Sequence, residues 1–190
     1  MYIIEITTEF ASTAYQIPAF FEDDKAPIGQ SHVISRYLAN KFGLVGDTNI
    51  ENARVDEVIS MVYDLFIWYR MLVIFEKDLE RRKQNRMFVE SRIQTFYAHW
   101  NKILEESGGD YVIGKKLTHA DFWLASFVQI WDDPMEGNGP VLSPGFQQPS
   151  QADAFLNYTD NFPALKAHKE KVTSIPQIKE WIKKRPKTSA

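Results

Sequence analysis

The hydrophobic and polar positions of this 190-residue chain follow two different periodicities. Residues 2–7 and 17–22 are rich in β-branched and aromatic side chains, a pattern that predicts two strands. From Ser31 onward the apolar residues recur at threes and fours, which predicts a helix. Gly43 is well placed to end that helix in the left-handed conformation. The chain therefore changes from strand to helix character at Ser31.

Beyond the polar cluster Gly46–Asn49, which we interpret as a linker, the spacing is helical and no further strand is predicted. Thr118 is placed to cap one helix, with the Asp121 carboxylate reaching back to the Thr118 N–H. The predicted fold class is therefore α+β. The predicted helices lie near 51–80, 84–106, 118–132, 163–173 and 176–185.

One segment of the helical part departs from this pattern. Between Asp132 and Asn161 the chain carries four prolines and three glycines. A loop of that length in a compact domain is typically functional or disordered. It could shape a hydrophobic pocket or make a surface contact.

Composition excludes several classes of function. The chain has no cysteine, which rules out a disulfide and a thiolate nucleophile and suits a reducing, cytoplasmic location. Its formal charge of −3 offers no general attraction for nucleic acid. The most apolar segment, residues 61–75, is interrupted by charges and is too short to span a membrane. A small polar ligand or a protein partner fits this composition better.

Four motifs occur in an order that one family shares. The first motif is Gln16-Ile17-Pro18, and the second is Gln30-Ser31 followed within the same helix by Ser35-Arg36-Tyr37-Leu38. The third motif spans residues 114–122. The fourth is the tail from Phe162-Pro163 through Trp181 to Lys184-Arg185-Pro186. Together they resemble the cytosolic glutathione S-transferases, within them the sigma class, which includes glutathione-dependent prostaglandin D synthases and lens S-crystallins. The resemblance implies a truncated thioredoxin-like domain over residues 1–46 and an all-α C-terminal domain over 50–190.

The resemblance also implies a glutathione site. The cysteinyl backbone would pair with Ile17 beside a cis Pro18, with Gln16 at the entry to the strand and Phe10 in the place of a family Trp. The γ-glutamyl carboxylate would bind Ser31 and Gln30 at a helix N-terminus.

Asp64 would meet the ammonium group from the neighbouring subunit, so that the complete site implies a homodimer. Met71 and Trp68 would line the pocket for the hydrophobic electrophile. From the residues alone, other roles stay open: Ser31 as a simple helix cap, and Asp64 as a buried partner of a base such as Arg36. No metal is expected, because Ser60 and Tyr63 stand where the sigma class has acids.

The resemblance departs from the family at the start of the chain. The family's first strand ends in Tyr-Phe, and that Tyr donates to the glutathione sulfur; no such segment precedes Gln16. Tyr2 and Tyr15 do not stand in the expected context, so the catalytic residue is not assigned. Without the central strand, we predict that residues 2–7 pair with 17–22.

Two functions follow from the resemblance. One is conjugation of glutathione, as co-substrate, to hydrophobic electrophiles, with glutathione-dependent prostaglandin isomerisation as a more specific form. The alternative is a non-catalytic glutathione-binding or structural member of the crystallin kind. Whether the chain is an enzyme is left open by the residues.

Overall fold

The computed structural model describes residues 3–5, 18–23, 26–132 and 158–185. Most of the predicted loop between Asp132 and Asn161 lies outside these ranges. The strands are β1 Ile3–Glu5, β2 Ala19–Phe21 and β3 Ile28–Gly29. The helices are α1 Ser31–Phe42, α2 Asn49–Tyr69, α3 Leu79–Ser107, α4 His119–Asp132, α5 Pro163–Ser174 and α6 Pro176–Lys184. Within the described ranges, no helix combines the length and the apolarity that crossing a bilayer requires.

The strands form an antiparallel sheet in the order β1-β2-β3. Ile3 lies opposite Phe21 and Glu5 opposite Ala19, so the predicted pairing of residues 2–7 with 17–22 is confirmed. The sequence did not predict β3, because a two-residue strand is too short to show an alternating pattern. Phe20 is buried and its ring lies 5.8 Å from that of Tyr37 on α1, which packs the helix against the sheet.

Helix α1 matches its prediction at both ends. It begins at Ser31 and is followed by Gly43 at φ 71°, whose N–H donates to the Ala39 carbonyl. On its sheet-facing side, Tyr37 and Lys41 both bind the carboxylate of the buried Glu22, which follows β2. These contacts fix α1 relative to the strand that precedes it.

The predicted single helix over 51–80 is wrong at its second half. Helix α2 ends at Tyr69, passes into a π-helical turn over Arg70–Ile74, and α3 then starts at Leu79. Asp78 accepts hydrogen bonds from the N–H groups of Glu80 and Arg81 at 3.0 and 2.9 Å and so caps a new helix. An aspartate favours the start of a helix, so Asp78 is a local signal for α3. The residues around it are uniformly polar, however, and the sequence pattern therefore does not reveal the break between α2 and α3.

The hydrophobic core is centred on α3, which packs between α2 and α5. One face of α3 is fully buried, and Trp100 and Tyr97 meet Phe127 of α4 edge to face. Such aromatic pairs add to the stabilisation from burying their area. The buried side chains of this face are Val89, Ile93, Tyr97, Trp100 and Leu104.

Two buried polar side chains hold the ends of α4 and α5. The predicted cap of α4 is confirmed: Asp121 Oδ2 accepts from the Thr118 N–H at 2.7 Å and from its hydroxyl at 3.0 Å. Oδ1 accepts from the Val112 N–H and from His168 Nε2 of α5, each at 2.8 Å. On the other side of α5, Asn101 Oδ1 accepts from the N–H groups of Ala164 and Leu165. Asn101 thus satisfies two N–H groups in the first turn of α5, and Asp121 satisfies two N–H groups of the segment that leads into α4.

We expect Asp121→Asn to lower the free energy of unfolding by about 3 kcal/mol or more, because the amide nitrogen would face donors in a fully buried site. Urea denaturation followed by circular dichroism measures this. Asp160→Asn, which removes an exposed carboxylate 2.7 Å from Lys166, is the control and should change stability by less than about 1 kcal/mol. Equal effects of the two substitutions would contradict the role assigned to Asp121.

Candidate functional site at the start of helix α1

The start of α1 carries a strained residue. Gln30 lies between β3 and α1 with φ 70° and ψ 115°, a region that a residue with a side chain rarely adopts. Such backbone strain costs on the order of 1–3 kcal/mol and tends to occur at ligand sites. Gln30, and not Ser31, occupies the cap position, so the interpretation of Ser31 as a simple cap is wrong. Ser31 is the first helical residue, and its hydroxyl makes no hydrogen bond within the described chain.

Two cavities meet at Ser31. The first has a volume of about 350 Å³ and runs along α1 towards the start of α4. Pro18 and Ser31, which lie thirteen residues apart in the sequence, both line it, as the glutathione prediction requires. Its walls are otherwise mostly apolar: Ile34, Ser35, Leu38, Ala39, Phe42, Leu44, His119 and Phe122.

The second cavity is larger, at about 440 Å³, and lies between α1, α2 and α4. It shares Ser31, Ser35 and Phe122 with the first. Aromatic side chains dominate the rest of its lining, which is Val62, Tyr63, Phe66, Trp123, Ser126 and Phe127. A cavity of this size and character suits an apolar or planar small molecule. The site thus joins a polar helix end to an aromatic compartment.

Helix α4 is tied to α1 beside these cavities. Trp123 Nε1 donates to the Ser35 hydroxyl at 2.9 Å. The His119 N–H donates to the Leu44 carbonyl at 3.0 Å, and His119 Nδ1 lies 3.1 Å from the same oxygen. Burial lowers the pKa of His119 below its usual 6.5, and its Nε2 is buried without a partner in the described chain. The imidazole is therefore held neutral at the wall of the first cavity.

Sequence reasoning did not find the aromatic compartment. The positions of Phe66 and Trp123 in the sequence are typical of core residues, because an apolar side chain at helical spacing looks the same whether it faces a core or a cavity. The sequence carries no local signal for a cavity, because the cavity is the space left between α1, α2 and α4 when they pack.

Other predicted site residues lie elsewhere. Asp64 is exposed and forms no ion pair in the described chain, while Arg36 instead pairs with Asp56 at 2.7 Å. The alternative of a buried Asp64–Arg36 pair is therefore wrong. The predictions for Phe10, Gln16 and Ile17, and those for Tyr2 and Tyr15, lie outside the described residues.

The two residues predicted for the electrophile pocket line neither cavity. The Met71 side chain is 59% exposed in the π-helical turn. Trp68 packs against Phe88 and Phe96 of α3, with the Arg92 guanidinium 5.5 Å from its ring centre. The two described cavities therefore do not bring this pair together with Ser31 and Pro18, and its role in an electrophile pocket stays a prediction. Within the described ranges, no group of three or more histidine and acidic residues is placed to hold a metal ion, and the expectation of no metal stays a prediction.

Comparison with known proteins identifies the family. Residues 64–185 match the glutathione S-transferase C-terminal domain. The chain is 32% identical over 169 residues to glutathione S-transferase 3 of Caenorhabditis elegans, covering 87% of this chain and 72% of that protein. This chain belongs to the glutathione S-transferase family.

Further similarities agree with the family. The structure of monomeric Na-GST-3 of the hookworm Necator americanus superposes with a TM-score of 0.68 at 28% identity, covering 94% of this chain and 78% of that one. S-crystallin 4 of Enteroctopus dofleini is 26% identical over 183 residues, 90% of this chain and 76% of that protein. The predicted fold class, a truncated thioredoxin-like part followed by an all-α glutathione-transferase part, is confirmed. The predicted domain limits at 1–46 and 50–190 stay a prediction.

The strain at Gln30 can be measured in this glutathione S-transferase family member. Gln30→Gly and Gln30→Ala both remove the side chain, but only glycine accepts a positive φ without strain. We expect the glycine variant to be more stable than the alanine variant by about 1 kcal/mol in urea denaturation. If alanine were the more stable of the two, the backbone at residue 30 would not be strained in solution.

His119 makes stability depend on pH. Because its folded pKa lies below the unfolded value of 6.5, the unfolded chain binds the proton more readily, and stability falls as the pH is lowered through about 6.5. His119→Asn removes the titrating imidazole, so this part of the pH dependence should vanish. The side-chain amide can still donate to the Leu44 carbonyl, which preserves the contact. Thermal melts between pH 5 and 8 measure it, with the exposed His99→Asn as control. An unchanged pH dependence in His119→Asn would contradict the assignment.

Proposed function

We propose that this chain is a glutathione transferase that binds glutathione at the start of α1 and conjugates it to hydrophobic electrophiles held in the aromatic cavity. The observation that carries the proposal is the position of Ser31, which lies where the polar helix end meets the 440 Å³ cavity. Glutathione is the co-substrate of the family. The site therefore has a place for each of the two reactants.

The start of α1 suits the γ-glutamyl carboxylate. The Ser31 hydroxyl is without a partner in the described chain, and the first N–H groups of a helix lack intrahelical acceptors. The helix dipole adds a partial positive charge at the same point. Pro18 and Ser31 both border the first cavity, so the peptide part of glutathione would lie along β2, in keeping with the prediction for Ile17 and Gln16.

The electrophile would occupy the aromatic cavity. Phe66 and Trp123 replace Met71 and Trp68 as our proposed pocket residues, because they share a cavity with Ser31 and the predicted pair does not. Apolar walls favour a planar, poorly hydrated substrate. We also propose that the chain is of the sigma class, which the similarity to S-crystallin 4 supports. Within this proposal, prostaglandin isomerisation is the more specific activity, and it would define the substrate.

A homodimer completes this proposal. Asp64 is exposed and free of ion pairs in the described chain, so it is available to a glutathione ammonium bound on a partner subunit. One relative is described as monomeric, so membership of the family does not by itself decide between a monomer and a homodimer. Sedimentation velocity at micromolar concentration distinguishes these two states. A cytoplasmic location and a role in detoxification follow the same proposal.

A second candidate function is glutathione binding without turnover. It is favoured by the first cavity, where the hydroxyls of the described lining residues belong to Ser31 and Ser35. A glutathione thiol with a pKa of about 8.5 is mostly protonated at neutral pH unless a donor stabilises its thiolate, and serine is a weakly acidic donor. Calorimetric binding of glutathione without conjugation of an aromatic halide would select this candidate.

Ser31→Ala should weaken glutathione binding by about tenfold or more, because it removes a hydrogen bond to a charged carboxylate. Isothermal titration calorimetry measures the dissociation constant. Ser91→Ala is the matched control: it removes an exposed helical serine hydroxyl that bonds only to the Phe88 carbonyl of its own helix. The proposal fails if glutathione does not bind the unaltered chain, or if both variants bind it equally well.

A further inference from the structure

Helix α6 leaves a large apolar side chain in water. Among the described α-helices, α6 alone has no buried residue. Its main contacts are with α5, and Ile178 and Ile182 are half-buried there. Trp181, by contrast, is 63% exposed, and its ring makes no aromatic contact within the described chain. The helix is therefore held by one side only, and its tryptophan is accessible from outside.

Lysines flank the apolar face of α6 on both sides. Because successive residues of a helix are about 100° apart, Ile178, Trp181 and Ile182 share one face of α6. Lys179 follows on the side of Ile182, and Lys184 on the side of Trp181, each about 60° further round the helix. The helix thus carries an apolar face between two basic edges.

The positive charge of α6 is largely uncompensated. Lys179 and Lys183 are exposed and form no ion pair within the described ranges. Lys184 pairs with Glu180, but both side chains are mostly exposed, so the pair is weak. In α5, by contrast, two lysines are matched by aspartates of neighbouring segments. Although the whole chain has a formal charge of −3, free positive charge is therefore concentrated beside Trp181.

We propose that α6 binds the surface of a membrane that contains acidic lipids. In this arrangement the Trp181 indole lies among the headgroups, and the lysines extend along the surface to the lipid phosphates and carboxylates. Tryptophan is typical of that depth, because its ring is apolar and its N–H is polar. With nine residues, α6 lies on the bilayer and does not cross it. The inference is independent of the proposed glutathione site.

Other anionic partners fit this surface less well. A nucleic acid gains its affinity from cations along its phosphate backbone and offers nothing to the apolar face between the lysines. An acidic protein would pair with the lysines, but a helix of nine residues provides little of the roughly 800 Å² that each partner of a stable protein interface buries. An acidic bilayer matches both the apolar face and the basic edges and requires no complementary shape.

Flotation of the full chain with phosphatidylcholine vesicles, with and without about 30% phosphatidylserine, tests the proposal. We expect binding to the acidic vesicles and not to the neutral ones. Raising NaCl from about 0.05 M to about 0.5 M should weaken the partition about tenfold, because salt screens the lysines. The chain has five tryptophans, so its fluorescence is compared with that of Trp181→Phe. Vesicles should shift the emission to shorter wavelength only where Trp181 is present.

A double variant tests the basic edges. Lys179→Gln combined with Lys183→Gln should weaken the partition into acidic vesicles about tenfold to thirtyfold, since it removes two free cations beside the surface. Lys83→Gln combined with Lys102→Gln is the matched control, because it removes the same charge from exposed positions of α3. The control should change the partition by less than about threefold.

A second pair of variants tests the apolar face. Trp181→Ser should weaken the partition about tenfold, because it removes the side chain that enters the headgroup region. Met87→Ser is its control, since Met87 is 70% exposed on α3 and also loses an apolar side chain. Circular dichroism verifies that all four proteins keep the helical content of the unaltered chain.

The inference is overturned if the unaltered chain does not bind acidic vesicles, or if it binds neutral and acidic vesicles equally well. It is also overturned if the α6 variants bind as tightly as their α3 controls. Binding to double-stranded DNA or to polyglutamate without binding to vesicles would assign the surface to a nucleic acid or to an acidic protein instead.

Discussion

The buried carboxylate of Asp121 accepts four hydrogen bonds from three different segments, and the helical part of the structure depends on it. Removing a carboxylate from water is costly unless donors replace its hydration. Here the donors come from the loop before α4, from the cap of α4, and from His168 on α5. They assemble around the carboxylate only when α4 and α5 are docked. A local helix cap and the long-range packing of two helices are thus one cooperative interaction.

The orientation that Asp121 gives to α4 also places the candidate site. Asp121, Leu124 and Val128 lie on one buried face of the helix, so residues on the opposite face turn towards α1. On that face, His119 binds the Leu44 carbonyl, Trp123 binds Ser35, and Phe122 borders both cavities. The aromatic compartment is therefore defined by a helix whose position is determined on its opposite side. The shape of the candidate site therefore depends on buried polar residues, Asp121 and His168, that line neither cavity.

The sequence predicted what depends on neighbouring residues. The cap formed by Thr118 and Asp121 and the glycine end of α1 each involve residues within a few positions of one another. The residue types at these positions are therefore enough to predict both features. It did not predict the partnership of Asp121 with His168, forty-seven residues away, or the turn that separates α2 from α3. Of the residues that line the two described cavities, the sequence pointed to Ser31 and Pro18 as site residues, whereas it did not point to Phe66, Trp123 and Tyr63. The place of these three in the cavity lining arises from how three helices pack, and their spacing is equally typical of a core.

The strain at Gln30 explains why the predicted pair comes together at all. Strand β3 ends at Gly29, which pairs with Ala19 of β2, and α1 begins at Ser31. One residue must therefore redirect the chain from strand to helix, and the positive φ of Gln30 achieves this. A longer and relaxed connection would let the helix start move away from the sheet. Because the connection is so short, the first N–H groups of α1 are held beside the strand that follows Pro18, and both border one cavity. The unfavourable backbone conformation is thus the geometric condition that places the helix end next to the strand, and the proposed glutathione site needs both.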